Sequence, residues 1–159
     1  MKKSNSFDNK FMQLALSEAK LAFDQNEIPV GCVIVKRKCG SVIAKTRNMV
    51  EQNNNTIFHA EILAINDACK ELNNKNLSDC DIYTTLEPCT MCAAAISASR
   101  LGRLYYGASD EKQGAVENGV RFFNSPSCFH SPEVYYGICQ ERSATLIKSF
   151  FRKLRKNKL

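Results

Sequence analysis

Phe11, Leu14, Ala15, Ala19, Ala22 and Phe23 recur at helical spacing, which predicts a first helix over about 8–25 with Asp8 as its N-cap. The pattern then shortens. "PVGCVIVKRKCGSVIAKTRN" reads as two strands around a turn near Cys39-Gly40. "MVEQNNNTI" is polar and reads as a loop. "HAEILAINDACKELNN" places Ile62, Ile65, Cys69 and Leu72 on one helical face. "CDIYTTL" predicts a strand, "CTMCAAAISAS" a helix of small residues, and "RLYYG" another strand. From 108 to about 132 turn residues interrupt every period. "EVYYGI" predicts a fifth strand and "CQERSATLIKSFFRKLRK" a closing helix. Strands alternating with helices point to an α/β sandwich. With no internal repeat or linker, the 159 residues fit one domain, 1–159, around a single core.

Composition narrows the setting. Hydrophobic residues at 44% and charged residues at 24% are ordinary for a soluble globular protein. The longest small apolar run, "CAAAISA", falls far short of the ~20 residues a membrane span needs. The opening lysines precede no apolar stretch, so a secretory signal is not expected and a cytoplasmic location is. In a reducing compartment Cys32, Cys69 and Cys80, set in predicted core elements, read as small buried hydrophobes. Only Cys89 and Cys92 form a spaced pair. The net charge of +6 is concentrated at the end: "KSFFRKLRKNKL" holds Lys148, Arg152, Lys153, Arg155, Lys156 and Lys158 without an acid. Such a cluster suits a polyanion. It equally suits a solvated helix whose cations face the negative helix end.

The chemistry sits in two short stretches, "FHAEILA" and "TTLEPCTMC". Each opens a predicted helix, where free N–H groups and the dipole favour negative charge. Cys89 and Cys92, at i and i+3, share a face, and the helix start favours their thiolates. If the two helices start side by side at the end of the sheet, His59, Cys89 and Cys92 supply one nitrogen and two sulfurs, a set suited to zinc. Three protein ligands leave a fourth position for water, as catalytic zinc requires. Cys128 or His130 in "SCFHS" could instead close a structural site. Glu61 alone reads as a favourable acid in a first helical turn. Beside a zinc-activated water it could carry a proton to a substrate. A thioredoxin-like redox pair would use Cys89 and Cys92 but leave His59 and Glu61 without a role.

H-x-E followed by P-C-x-x-C is the known signature of zinc-dependent nucleobase deaminases. Over nearly its full length the chain resembles the bacterial tRNA-specific adenosine deaminases of the cytidine/deoxycytidylate deaminase superfamily. "NEIPVGCVIV", "TTLEPCTMCAAAISASRLGRLYYGASDEKQGA" and the ending "FFRKLR" carry the resemblance. It implies a three-layer α/β/α sandwich, cytidine-deaminase-like, with a central mixed sheet of about five strands. It also implies one Zn2+ per chain on His59, Cys89 and Cys92, with Glu61 as proton shuttle. Asn48, otherwise a polar strand-end residue, would hydrogen-bond the flipped base, and Pro29 and Val30 would wall the pocket. Asp110 would lie near the RNA backbone, with Lys112 and Arg152 as further RNA contacts. The implied partners are a tRNA anticodon stem-loop and a second copy in a homodimer. The implied reaction converts adenosine to inosine at the wobble position.

Three places depart from the family pattern. Thr56-Ile57-Phe58 stands where Pro-Thr-Ala is common, Ser109 where some members carry a basic residue, and "VENGVRFFNSPSCFHSPEVYY" differs throughout. Within that last stretch Phe122 and Phe123 read as core. Two rival functions share the motifs. A deaminase of a free base or nucleotide (cytosine, guanine or deoxycytidylate type) would use the same zinc site. A catalytically dead RNA-binding zinc domain would not need Glu61.

Overall fold

The computed structural model describes residues 1–3 and 9–156. Asp8 and Lys158, named above as an N-cap and a tail cation, lie outside the described residues. The elements run β1 (Lys2–Lys3), α1 (Asn9–Asp24), β2 (Gly31–Lys36), β3 (Val42–Arg47), α2 (Val50–Asn53), α3 (Ala60–Glu71), β4 (Cys80–Leu86), α4 (Thr90–Ala98), β5 (Arg103–Ala108), β6 (Glu133–Tyr136) and α5 (Gln140–Lys156).

The sheet order is β1-β6-β5-β4-β2-β3. β2 pairs antiparallel with β3 and β4, while β4, β5, β6 and β1 pair in parallel. The five expected strands therefore form the mixed sheet, and the two-residue β1 adds an edge. α1 and α5 pack on one face; α3 and α4 pack on the other. The strand period of two separates the faces. Tyr83, Tyr105 and Tyr135 point to the α1 side and stack in a row, with ring centroids 4.4 and 4.8 Å apart. Ile82, Thr84, Leu104 and Tyr106 point to the α3 side, where Ile96 of α4 meets them.

Small residues let the layers approach. A Cβ on Gly31 would stand 1.9 Å from the Ala15 carbonyl oxygen, so glycine there lets α1 lie directly on β2. On the other face Ala60, Ala64 and Ala68 are fully buried, and the larger Ile65, Cys69 and Leu72 are only partly buried along the core edge. Ile65, Cys69 and Leu72 of the predicted apolar face of α3 thus pack on the core, but its deepest line is alanine, because the helix rests too close to β2 and β3 for longer side chains.

One short helix, α2, stands where the sequence predicts a loop. α2 forms where Glu27, 1% exposed, accepts hydrogen bonds from the Val50 and Gln52 N–H groups at 3.1 and 2.8 Å. These are orphan donors of a helix start, capped from a distant part of the chain rather than locally. The stretch from 109 to 132 contains one 3-10 turn, Phe122–Asn124, and Phe123 packs on the main core. All eight cysteines are free; Cys32 and Cys80 are buried and Cys69 is partly so. No described helix is long and apolar enough to cross a membrane.

Candidate active site

Two helix starts meet at one end of the sheet. His59 is the N-cap of α3 and Cys89 the N-cap of α4, both in extended backbone, and neither side chain caps its own helix. Their side chains are therefore available to each other. The start of α3 is fixed by the end of β3. Thr46 Oγ1 donates to the Ala60 carbonyl at 2.7 Å, and Asn48 Oδ1 accepts from the Ala60 N–H at 2.8 Å. The Asn48 N–H in turn donates to the Val30 carbonyl at 3.1 Å. The start of α4 follows β4 directly through Glu87 and Pro88.

His59 Nδ1 lies 3.7 Å from Cys89 Sγ and 3.6 Å from Cys92 Sγ. A tetrahedral zinc with ordinary bond lengths holds its nitrogen and sulfur ligands about 3.6 Å apart. The two nitrogen–sulfur distances thus already match the edges such an ion requires. Among the described residues they are also the group of histidine, cysteine and acid side chains that could hold a metal, all within 4.8 Å. Cys128 and His130 do not join them. His130 Nε2 pairs with the Leu101 carbonyl at 2.8 Å, and the Cys128 thiol donates to the His130 carbonyl at 3.1 Å.

The protonation pattern also suits a cation. The Cys92 thiol hydrogen-bonds to Cys89, which, with His59, lowers the Cys89 pKa to about 4 against the opposing effect of burial. The same bond to Cys89, burial and the neighbouring Glu61 carboxylate all push Cys92 upward. His59 is raised by its bond to Cys89. Two sulfurs and a carboxylate crowd together here, and a divalent ion would let both sulfurs ionise.

Glu61 is 3% exposed. Its Oε1 accepts from Thr84 Oγ1 at 2.8 Å, and its Oε2 lies 3.5 Å from Cys92 Sγ. Burial pushes its carboxyl above the usual carboxylate range, against the pull of its own backbone N–H, Thr84 and His59. One oxygen is thus pinned to β4 and the other faces the donor cluster. A carboxyl held so is equipped to pass a proton.

The remaining expected residues spread outward. Pro29 and Val30 are buried at the start of β2, next to Asn48. Phe58 is half-buried and its carbonyl accepts from the Met49 N–H at 3.0 Å, while Ile57 is exposed. Asp110 uses its Oδ1 to accept from the Lys112 and Gln113 N–H groups at 3.0 and 3.1 Å, leaving Lys112 exposed on a turn. Arg152 is exposed on α5 and makes no contact with the donor cluster. Lys153 is engaged elsewhere: its Nζ donates to Asn26 Oδ1 at 2.9 Å and covers the Phe23 ring.

Thr84, Thr46, Glu27 and Glu87 were not anticipated. Thr84 and Glu87 lie inside the quoted "TTLEPCTMC". An acid and a hydroxyl in a run otherwise fit for full burial were the available signal. Glu87 is 2% exposed. Burial alone would raise its pKa, but the backbone N–H groups of Asp110 and Asn118, the Asn118 amide and the Val116 N–H outweigh it and hold the carboxyl below its ordinary value.

A sandwich of this topology with a His/Cys/Cys cluster beside a buried glutamate defines a zinc-binding deaminase. The chain belongs to the family of the cytidine and deoxycytidylate deaminase zinc-binding region, whose model matches residues 5–108. It is 59% identical over 144 residues to the tRNA-specific adenosine deaminase of Rickettsia bellii, covering 91% of this chain and 99% of that one. It is 51% identical to the tRNA-specific adenosine deaminase of Agrobacterium fabrum, covering 91% and 94%. A solved structure from work on A-to-I editing by tRNA:A34 deaminases at the wobble position of transfer RNA superposes with a TM-score of 0.85. It shares 50% identity over 87% of this chain and 99% of that one.

Proposed function

We propose that the protein is a zinc-dependent hydrolase that converts adenosine to inosine at the wobble position of a tRNA anticodon. The observation that carries the chemistry is the Glu61 carboxyl, buried, pinned through Oε1 by Thr84, and set against the sulfur of Cys92. The substrate rests on the relatives, named as tRNA-specific adenosine deaminases at up to 59% identity, and on the A34 deaminase structure.

His59, Cys89 and Cys92 would hold one zinc per chain. When bound, that zinc lowers the pKa of a water and so supplies the nucleophile. Glu61 takes the proton from the water and delivers it to ring nitrogen N1 of adenine. It then takes the remaining proton from the new C6 hydroxyl and passes it to the departing amino group, so that C6 exchanges its amino group for oxygen and ammonia leaves. Thr84 keeps the carboxylate oriented through both transfers. Asn48 has its Oδ1 committed to Ala60, so its amide nitrogen is the group offered to the base. Pro29 and Val30 would wall the pocket, and Asp110, Lys112 and Arg152 would meet the RNA. The base must be turned out of the anticodon loop to reach this buried corner. The same reading has one domain spanning the chain, working in the cytoplasm as a homodimer.

Three incubations test it: an anticodon stem-loop with adenosine at the wobble position, free cytidine, and free guanine. Inosine and ammonia should form from the stem-loop alone. Turnover of cytidine or guanine with none of the RNA would overturn the assignment.

A further inference from the structure

Glu87 gathers six hydrogen bonds from one loop. Its Oε1 accepts from the consecutive N–H groups of Val116, Glu117 and Asn118 at 3.0, 2.9 and 3.0 Å. Its Oε2 accepts from the Asp110 N–H at 2.9 Å, Asn118 Nδ2 at 2.7 Å and Ser109 Oγ at 3.3 Å. A carboxylate offers about four lone-pair positions, so this one is saturated. The loop closes on it without room to spare: a Cβ on Gly114 would stand 2.4 Å from the Glu87 carboxyl carbon. Two further links join the loop to the start of α4. Gly114 bridges Cys89, and the Ala115 N–H donates to the Pro88 carbonyl at 2.9 Å.

Ala115 and Val116 of this loop are buried, and Val116 joins the main core. Residues 111–113 at its tip are exposed, and the turn that presents them begins at Asp110, whose own N–H is fixed by Glu87. The hydrogen-bond partners of the carboxylate are loop groups, not His59, Glu61, Cys89 or Cys92. Its partners all lie in the loop, so its effect must pass through the loop.

We propose that Glu87 is a positioning residue that holds the loop of residues 109–118 as a preformed rim for the RNA substrate, acting on substrate binding and not on the proton transfers. This rests on the tRNA reading above. Preforming the rim removes the ordering cost that a mobile loop would add to binding.

Glu87→Gln tests it, because it keeps the size and turns an NH2 group toward N–H donors. Zinc content should stay at the wild-type level, KM and Kd for the stem-loop should rise about tenfold, and kcat should stay within about threefold, since a lost binding contact leaves the bound reaction alone. Amide exchange of residues 109–118 should accelerate. Asn118→Ala is the milder companion. It deletes the side-chain bonds to Glu87 and Ser109 and keeps the backbone ones, so KM should rise about threefold. It decides the matter if the glutamine variant fails to fold. Faster loop exchange with unchanged KM would overturn the proposal, as would a fall in kcat at unchanged KM. Failure of the tRNA reading is separate: the wild-type protein would then not turn over the stem-loop at all.

Discussion

At the donor cluster every side chain is held from more than one side. His59 and Cys89 sit at helix caps, Glu61 is pinned by Thr84, and the Ala60 backbone is held at both its N–H and its carbonyl. At the C-terminal end of α5 the opposite holds. Arg152, Arg155 and Lys156 are exposed, and their side chains form no ion pair or hydrogen bond among the described residues. The contrast follows from what each region must recognise. Chemistry at one atom needs donors fixed to a fraction of an ångström. A phosphate backbone needs positive charge in reach, and long flexible side chains deliver it.

The largest effect should come from removing a fixed donor. Cys89→Ala leaves two of the three proposed ligands, so zinc should be lost and turnover should fall to background. Because the ion binds only the folded chain, the melting temperature should fall as well. Metal analysis and a thermal scan on the same preparation check both. A variant that keeps stoichiometric zinc would show that Cys89 is not a ligand.

Glu61→Ala should come next. It removes the proposed proton carrier and leaves the three donors, so kcat should drop by about a thousandfold with zinc retained. Zinc loss in this variant would recast Glu61 as part of the metal's support. Activity within a few-fold of wild type would leave the buried corner without its assigned chemistry.

The two regions were also unequally legible in the chain. Spacing marks His59 with Glu61 and Cys89 with Cys92 as two pairs, each within one helical turn; that the two helix starts meet is supplied by the structure, where His59 Nδ1 lies 3.7 and 3.6 Å from the two sulfurs. The strands themselves were legible from period and composition. What stayed hidden depends on partners distant in sequence. α2 is capped by Glu27 from 23 and 25 residues away. The Glu87 loop closes over 22 to 31 residues. The Tyr83–Tyr105–Tyr135 stack requires the register of β4, β5 and β6. None of these leaves a local period to read. The tail was legible as charge, yet its members are not equivalent. Lys153 reads like its neighbours in the chain but is tied to Asn26 and Phe23 at the end of α1.

That distinction sharpens the smallest predicted effect. Replacing Arg152, Arg155 and Lys156 together by Ser, with Lys153 kept, removes free cations without loosening the contact between α5 and α1. Exposed charges contribute little to stability, so the melting temperature should move by no more than about 2 °C. Zinc content and kcat should not change, since no link joins these residues to the donor cluster. Binding should change. Each lost phosphate contact removes a released counterion, so the slope of log K against log salt should flatten by about two if all three cations meet phosphates. KM for the stem-loop should rise several-fold at low salt, and the difference from wild type should shrink as salt is added. A variant with wild-type KM and slope would make the end of α5 a solvated helix face. The RNA would then have to be held by the rim that Glu87 organises, and the division between a fixed chemical corner and a flexible electrostatic grip would give way to recognition by preformed structure at both places.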